Sequence, residues 1–131
     1  MIILVIKTDE PKAELSVYED TKLLSHVGWE AHLKLAETIN LESTKILNKL
    51  SIKLADIDGI VCFKGPGSFT GLRIGLSVAN ALAFAQSIPI VSKSGSGWLE
   101  SGIGDLLKGK NDGVALPKYN RPAATTPSPK A

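Results

Sequence analysis

The sequence predicts one small α/β domain, and three observations support this fold class. The chain has 131 residues, of which 44% are hydrophobic, enough to form one core. Short apolar runs separated by polar turns fill its beginning, as strands in hairpins do. A continuous apolar run at residues 57–63 then leads into a glycine-rich loop and a long Ala-rich segment. That succession is the pattern of a strand, a tight loop and a helix.

The elements follow one another in the order β-β-β-α-β-α-β. We predict strands at residues 2–8, 13–18 and 22–28, a helix at 31–49, a strand at 57–63, a helix at 70–86 and a strand at 88–92. In the second strand Ala13, Leu15 and Val17 alternate with polar or larger residues, the period of a half-buried strand. The order is typical of one lobe of the actin-like ATPase (ribonuclease H-like) fold, built on a mixed sheet.

The composition changes after this unit, and it divides the chain into three parts. Residues 1–92 form the predicted lobe, and residues 93–113 a linker with one short amphipathic helix at 98–107. Residues 114–131 are rich in Pro, Ala, Ser and Thr, a composition typical of a disordered, flexible tail.

Charge and cysteine content exclude several classes of protein. Residues 1–112 carry 12 Lys and Arg against 13 Asp and Glu, so the net charge of +2 arises in the tail. A folded part with this balance is not an obvious nucleic-acid surface. The single cysteine, Cys62, lies within an apolar strand and fits a core residue of a protein in a reducing cytosol.

The apolar segments are unsuited to a membrane. Residues 1–6 are too short to span a bilayer and lack a basic leader. The longer run at residues 74–90 is interrupted by Gly75, Asn80, Gln86 and Pro89. We therefore expect a soluble, cytoplasmic protein without a membrane partner.

The glycine loop is the first candidate site. It reads Gly65-Pro-Gly-Ser-Phe-Thr-Gly-Leu-Arg-Ile-Gly75, and a loop before a helix N-terminus suits an anion. The candidate anion or nucleotide loop consists of Gly65, Gly67, Ser68 and Thr70. The loop lacks the Gly-Lys-Ser/Thr ending of a P-loop, and its spacing is one residue too long for G-x-G-x-x-G. A capped turn that packs a helix on a sheet is the alternative interpretation.

The helix after the loop carries a stripe of small residues. Gly71, Gly75, Ala79 and Ala83 recur every four residues and therefore share one face. Two interior glycines cost about 1 kcal/mol each relative to alanine, so the close approach of another helix, in this chain or in a partner, is expected to offset them. The other faces are apolar as well, which indicates burial on more than one side.

This stretch resembles a known family. Eleven consecutive residues, Gly65-Pro-Gly-Ser-Phe-Thr-Gly-Leu-Arg-Ile-Gly75, followed by an Ala-rich helix, are similar to the signature of the TsaB (YeaZ) family, which belongs to the bacterial machinery for threonylcarbamoyladenosine in tRNA. The resemblance extends more weakly over residues 1–92. Family members have two such lobes, and their terminal Pro-x-Tyr-x-Arg element resembles Pro117-Lys-Tyr-Asn-Arg121. The resemblance therefore implies a shortened form.

The resemblance implies a scaffold or activator without catalytic residues, metal or cofactor. It would bind a TsaD-type catalytic subunit, with a TsaE-type ATPase assisting and tRNA contacted only indirectly. The helices at 31–49 and 70–86 would form a helix bundle across the interface. The implied interface residues are Gly71, Leu72, Arg73, Gly75, Leu76, Ala79 and Ala83. Arg73 is either an ordinary surface residue or the partner of a carboxylate or phosphate on the bound protein.

One departure concerns the end of the first strand. ATPases of this fold place a carboxylate there, and the family resembled usually has Ile-Asp-Thr, whereas this chain has Ile6-Lys7-Thr8. An ammonium group does not ligate Mg²⁺, and Asp9 lies two residues further along. We therefore expect no intrinsic ATP hydrolysis.

Other catalytic patterns are absent from the sequence. His26 and His32 have no zinc-site spacing, and Ser68 does not lie in a Gly-x-Ser-x-Gly elbow. Two alternatives to the scaffold remain open. One is a nucleotide-binding remnant that uses the glycine loop, and the other is a homodimer with an unrelated role.

Overall fold

A mixed sheet of five strands forms the centre of the molecule. The computed structural model describes residues 1–118. The strands are β1 (Ile2–Lys7), β2 (Lys12–Glu19), β3 (Lys22–Glu30), β4 (Gly59–Phe63) and β5 (Ile90–Lys93). Their order in the sheet is β3-β2-β1-β4-β5. The first three strands pair antiparallel, whereas β4 and β5 continue the sheet parallel to β1. The predicted succession β-β-β-α-β-α-β is confirmed.

Helices cover both faces of the central strands. They are α1 (Leu35–Lys49), α2 (Phe69–Gln86) and α3 (Trp98–Leu107). Leu4 and Ile6 of β1 join the core beneath α1 and α2, whereas Ile3 and Val5 join the core beneath α3. Both faces of β1 are therefore buried, which explains why its sequence is apolar without alternation.

Some element boundaries differ from the predicted ones. The first long helix begins at Leu35, four residues later than expected, because a 3₁₀ turn (His32–Lys34) precedes it. His32 has a φ angle of 45°, a conformation that a regular right-handed helix does not contain. Cys62 lies fully buried in β4 as expected, and burial raises the pKa of its thiol.

The segment predicted as a linker with a short helix belongs to the packed lobe. Gly102 of α3 lies directly against Val61 of β4, and the buried Ile103 and Leu106 complete the core on this face. The Lys93 ammonium forms an ion pair with Asp105, which ties the end of β5 to the helix. The packed lobe therefore extends beyond residue 92, since α3 buries one face of the sheet.

The residues after α3 also pack on the lobe. The side chains of Asn111 and Asp112 accept hydrogen bonds from the backbone N–H groups of Ile90 and Ser92, which satisfies donors of the edge strand β5. Asn80 of α2 then holds the buried Ala115 through two hydrogen bonds of 2.9 and 2.7 Å. These contacts hold residues 111–115 against the lobe.

The segment reaches the glycine loop at its end. The backbone N–H of Lys118 donates to the carbonyl oxygen of Lys64 at 2.6 Å. The rest of the predicted tail, residues 119–131, lies outside the described residues, as do three of the five residues of Pro117-Lys-Tyr-Asn-Arg121. Within residues 1–118, no helix is both long and apolar enough to span a bilayer.

Replacing Asn80 by Ala is expected to destabilise the protein. The change leaves the N–H and C=O groups of the buried Ala115 without their partners, which should cost about 1–3 kcal/mol in the free energy of unfolding. Urea denaturation measures this difference. Asn48→Ala on the exposed side of α1 is the matched control, and equal midpoints for the two variants would contradict the structural role of Asn80.

Asp105 is expected to make stability depend on pH in acid. Its hydrogen bond from Lys93 lowers the pKa of the carboxyl from its ordinary value of 3.8, and the charges of Lys93, Lys110 and Lys108 act in the same direction. A depressed pKa contributes stability above the unfolded value, and this contribution is lost as the pH falls through the folded pKa. Thermal melts from neutral pH to below the unfolded pKa should show this loss.

Two variants test the assignment of that pH dependence to the ion pair. Asp105→Asn removes the titrating group and Lys93→Met removes the main cause of the shift, so both should lower the melting temperature at neutral pH and flatten its acid dependence. An unchanged acid slope in both variants would contradict the assignment.

Candidate functional site

The glycine loop lies between the end of β4 and the start of α2. Gly65 has a φ angle of 108°, and the Lys118 carbonyl and Leu72 leave no room for a Cβ at this position. Ser68 is the N-cap of α2, and its hydroxyl accepts a hydrogen bond of 3.4 Å from the Gly71 N–H. The loop thus places the start of α2 beside the end of β1.

Hydrogen bonds within the chain use several donors of this loop. The Ser68 N–H donates to the carbonyl oxygen of Asp9 at 2.8 Å, and the Leu72 N–H donates to the Ser68 carbonyl at 2.9 Å. Gly67 lies so close to Asp9 that a side chain would overlap it. The turn after β1 is therefore held against the candidate anion loop, which consists of Gly65, Gly67, Ser68 and Thr70.

The small stripe of α2 faces the chain's own sheet. A Cβ on Gly75 would overlap the Thr8 side chain, and a Cβ on Gly71 would overlap the Thr8 carbonyl oxygen. The Thr8 hydroxyl also donates a hydrogen bond of 2.8 Å to the Gly71 carbonyl. Ala79 and Ala83 continue the same face and are buried. The close neighbour of the two glycines is Thr8, the residue that follows β1, and not another helix.

This orientation places most residues of the predicted partner interface inside the lobe. Five of its seven residues are buried inside the described chain: Leu72, Gly75, Leu76, Ala79 and Ala83. Gly71 is half-buried against Thr8, and only Arg73 is exposed. Arg73 lies over the Phe69 ring, 5.2 Å from its centroid. The predicted residues lie together on α2, but most of them face the sheet.

The opposite side of α2 forms a surface together with α1, which we call the α1–α2 face. It consists of the residues that line two adjoining depressions between the helices. One depression, of about 350 Å³, is lined by Ala36, Phe69, Thr70, Arg73, Ile74, Ser77 and Val78. The other, of about 480 Å³, includes Asn40, Ser43, Thr44, Leu47, Leu54, Val78, Ala81 and Leu82.

Apolar side chains dominate this face. Ile74, Val78 and Leu82 recur at every fourth position of α2 and are only half-buried. Phe69 is 54% exposed, and Phe84 on the exposed side of the same helix is 88% exposed. Arg73 is the single charged residue of α2. In the sequence, this face is indicated only by apolar residues on all sides of α2. That pattern does not show which side of the helix packs on the sheet.

The end of β1, where an ATPase of this fold was expected to carry a carboxylate, holds an ion pair instead. The Lys7 ammonium donates to Asp9 at 2.7 Å and lies 3.9 Å from a carboxylate oxygen of Glu10. Its Nζ also lies 5.2 Å from the centre of the Phe63 ring. Within residues 1–118, no three His, Cys, Asp or Glu side chains are grouped to hold a metal ion. The residues present do not fit a Mg²⁺ site.

The remaining residues singled out from the sequence have structural contacts. The His26 imidazole shares a 2.9 Å hydrogen bond with Ser16 across β2 and β3, whereas His32 lies exposed before α1. Trp29 donates to the Thr38 hydroxyl, and Trp98 packs edge-on against Phe63. Both tryptophans therefore contribute to packing.

The architecture defines a class of protein. Three antiparallel strands continued by two parallel strands, with helices on both faces, form one lobe of the ribonuclease H-like, actin-like fold. RuvC from Thermus thermophilus shows this fold at a TM-score of 0.53 and 12% identity, over 94% of this chain and 84% of that chain. This likeness concerns the fold alone.

Closer similarities identify the family. The family described as TsaD, tRNA N6-adenosine threonylcarbamoyltransferase, matches residues 29–94, about half of the chain. The TsaB protein of Bacillus subtilis is 33% identical over 97 residues, 72% of this chain and 41% of that protein. YeaZ from Pseudomonas aeruginosa has a TM-score of 0.66 and 25% identity, over 71% of this chain and 43% of its own. The chain belongs to the TsaB (YeaZ) family, and it spans less than half the length of these two relatives.

The contact between Thr8 and Gly75 generates a prediction. Gly75→Ala gains about 1 kcal/mol of helix propensity, but overlap with Thr8 should cost about 1–3 kcal/mol or more. The variant is therefore expected to be less stable in urea denaturation. In a Thr8→Ala background the loss should become smaller, because only the Cβ of residue 8, 3.0 Å away, remains close. An equal loss in both backgrounds would contradict the role assigned to Thr8.

Proposed function

We propose that this chain is a non-catalytic subunit in the threonylcarbamoyladenosine modification of tRNA. In this proposal it binds a TsaD-type transferase through the α1–α2 face. The family membership supports the pathway, since the TsaB relative from Bacillus subtilis carries the name of threonylcarbamoyladenosine biosynthesis. The observation that carries the partner role is the apolar, exposed surface on two adjacent helices, a kind of surface that marks interaction sites.

The shape of this surface supports docking by helices of a partner. Ile74, Val78 and Leu82 form a ridge along α2, and shallow depressions lie between this ridge and α1. Ridges and grooves of this kind pack against the side chains of another helix pair. Arg73 stands at one end and supplies a charge for a carboxylate on the partner.

The residues at the end of β1 support a scaffold role without catalysis. Lys7 replaces the carboxylate expected of an ATPase, and its ammonium pairs with Asp9. The Ser68 N–H in the glycine loop donates to the backbone carbonyl oxygen of Asp9. In this proposal the TsaD-type protein performs the transfer, a TsaE-type ATPase assists, and tRNA is contacted only indirectly. The location of such a complex would be the cytoplasm.

A second copy of this chain is the alternative occupant of the same face. An apolar helix pair can also serve as the self-complementary patch of a symmetric homodimer. A measurement of mass in solution distinguishes the two outcomes, because a homodimer forms without the TsaD-type protein.

Ser77→Arg is expected to abolish the heterodimer. Ser77 is exposed on α2 and lines the first depression, so arginine adds bulk and charge there without disturbing the core. Light scattering of the purified chain mixed with the TsaD-type protein of the same organism gives the mass, and calorimetry gives the affinity. We expect at least a tenfold loss of affinity, which corresponds to about 1.4 kcal/mol.

Ser101→Arg is the matched control for this experiment. Ser101 is equally exposed but lies on α3, on the other side of the sheet. The control should bind as the original chain does. Unchanged binding by Ser77→Arg, or the absence of any heterodimer with the original chain, would overturn the proposed role. A homodimer lost only in Ser77→Arg would assign the face to self-association.

A further inference from the structure

An ammonium group from the chain itself occupies the acidic end of β1. The Asp9 side chain is 9% exposed, and its carboxylate lies 2.7 Å from the Lys7 ammonium. Glu10 follows directly and brings a second carboxylate oxygen to 3.9 Å from the same ammonium. A nearly buried carboxylate needs a positive partner, because leaving it unpaired costs a large desolvation free energy. Lys7 is that partner.

We propose that the Lys7 ammonium takes the place of a divalent cation at this edge of the sheet and prevents the chain from binding one. Carboxylate oxygens are the ligands that Mg²⁺ and Ca²⁺ prefer, and Asp9 and Glu10 supply them from one turn. The ammonium lies within reach of both acidic side chains. A metal ion there would lose a ligand to the salt bridge and meet a like charge at close range.

The position of the pair in the fold supports this inference. β1 ends beside the parallel strand β4, at the edge where the carboxyl ends of the two strands meet, and ligands of α/β sheets bind at such edges. Phe63 of β4 closes one side of the ammonium, and the loop residue Gly67 lies against Asp9. The surroundings hold the carboxylate in place, so the identity of residue 7 decides whether a lysine or a metal ion neutralises it.

Terbium luminescence offers a direct test, because Trp98 lies nearby. The Trp98 ring packs 5.2 Å from the Phe63 ring, which itself lies 5.2 Å from the Lys7 Nζ. A Tb³⁺ ion bound beside Asp9 would therefore be sensitised by tryptophan excitation. The original chain is expected to show no saturable emission. Lys7→Asp, which replaces the ammonium by a third carboxylate, should bind Tb³⁺ at least tenfold more tightly, with displacement by excess Ca²⁺.

Three further variants make the test specific. Lys34→Asp introduces the same change of charge on an exposed turn before α1 and should behave as the original chain does. Lys7→Asn removes the ammonium without adding a charge and should give weaker but saturable binding. If circular dichroism shows that Lys7→Asp is unfolded, Lys7→Asn tests the proposal in its place. Adding Trp98→Phe to Lys7→Asp should remove the emission while calorimetry still detects the ion.

Two results would overturn the proposal. The first is saturable Tb³⁺ binding by the original chain that matches the binding by Lys7→Asp. The second is a folded Lys7→Asp or Lys7→Asn variant without saturable binding, which would show that Asp9 and Glu10 do not form a cation site even when Lys7 is absent.

Discussion

The contact between Thr8 and α2 sets the geometry of the molecule around the glycine loop. The Thr8 hydroxyl donates to the Gly71 carbonyl, and the absence of side chains at Gly71 and Gly75 lets the helix approach Thr8 directly. This approach brings the Ser68 N–H to the Asp9 carbonyl, which ties the turn after β1 to the start of α2. Glycine inside a helix lowers its stability. It is required here because Thr8 leaves no space for a Cβ at positions 71 and 75.

The same contact determines what α2 presents to its surroundings. Because its small residues face the sheet, the larger Ile74, Val78 and Leu82 lie toward α1 and the surface. A partner placed on the α1–α2 face would therefore meet branched and apolar side chains rather than a flat strip of glycine and alanine. The two sides of α2 therefore differ in role. The inner side sets the distance between the helix and the sheet, and the outer side forms an apolar surface.

The sequence predicted the order of strands and helices because periodicity and turn residues are local signals. It did not predict the direction of the small stripe, since a period of four defines a face but not the neighbour that this face meets.

The core role of α3 was missed because glycine and serine before Trp98 resemble a linker. The two hydrogen bonds between Asn80 and Ala115 join residues that are 35 positions apart, and no local pattern indicates such a contact. Lys7 was recognised as a departure, but its pairing with Asp9 required the bend of the chain after β1.

The α1–α2 face and the Lys7–Asp9 pair lie in different parts of the lobe, and binding of a partner does not depend on the pair. Lys7 lies at the carboxyl end of β1, beside Phe63 and in the layer that α3 covers. The α1–α2 face lies on the other side of the sheet. A substitution at residue 7 changes the charge at the strand end while Ile74, Val78 and Leu82 keep their positions, because α2 is held by Thr8 and the buried residues beneath it. A chain that gained a metal ion at β1 would therefore still present the same apolar surface to a partner, and loss of partner binding would not follow from loss of the Lys7–Asp9 pair.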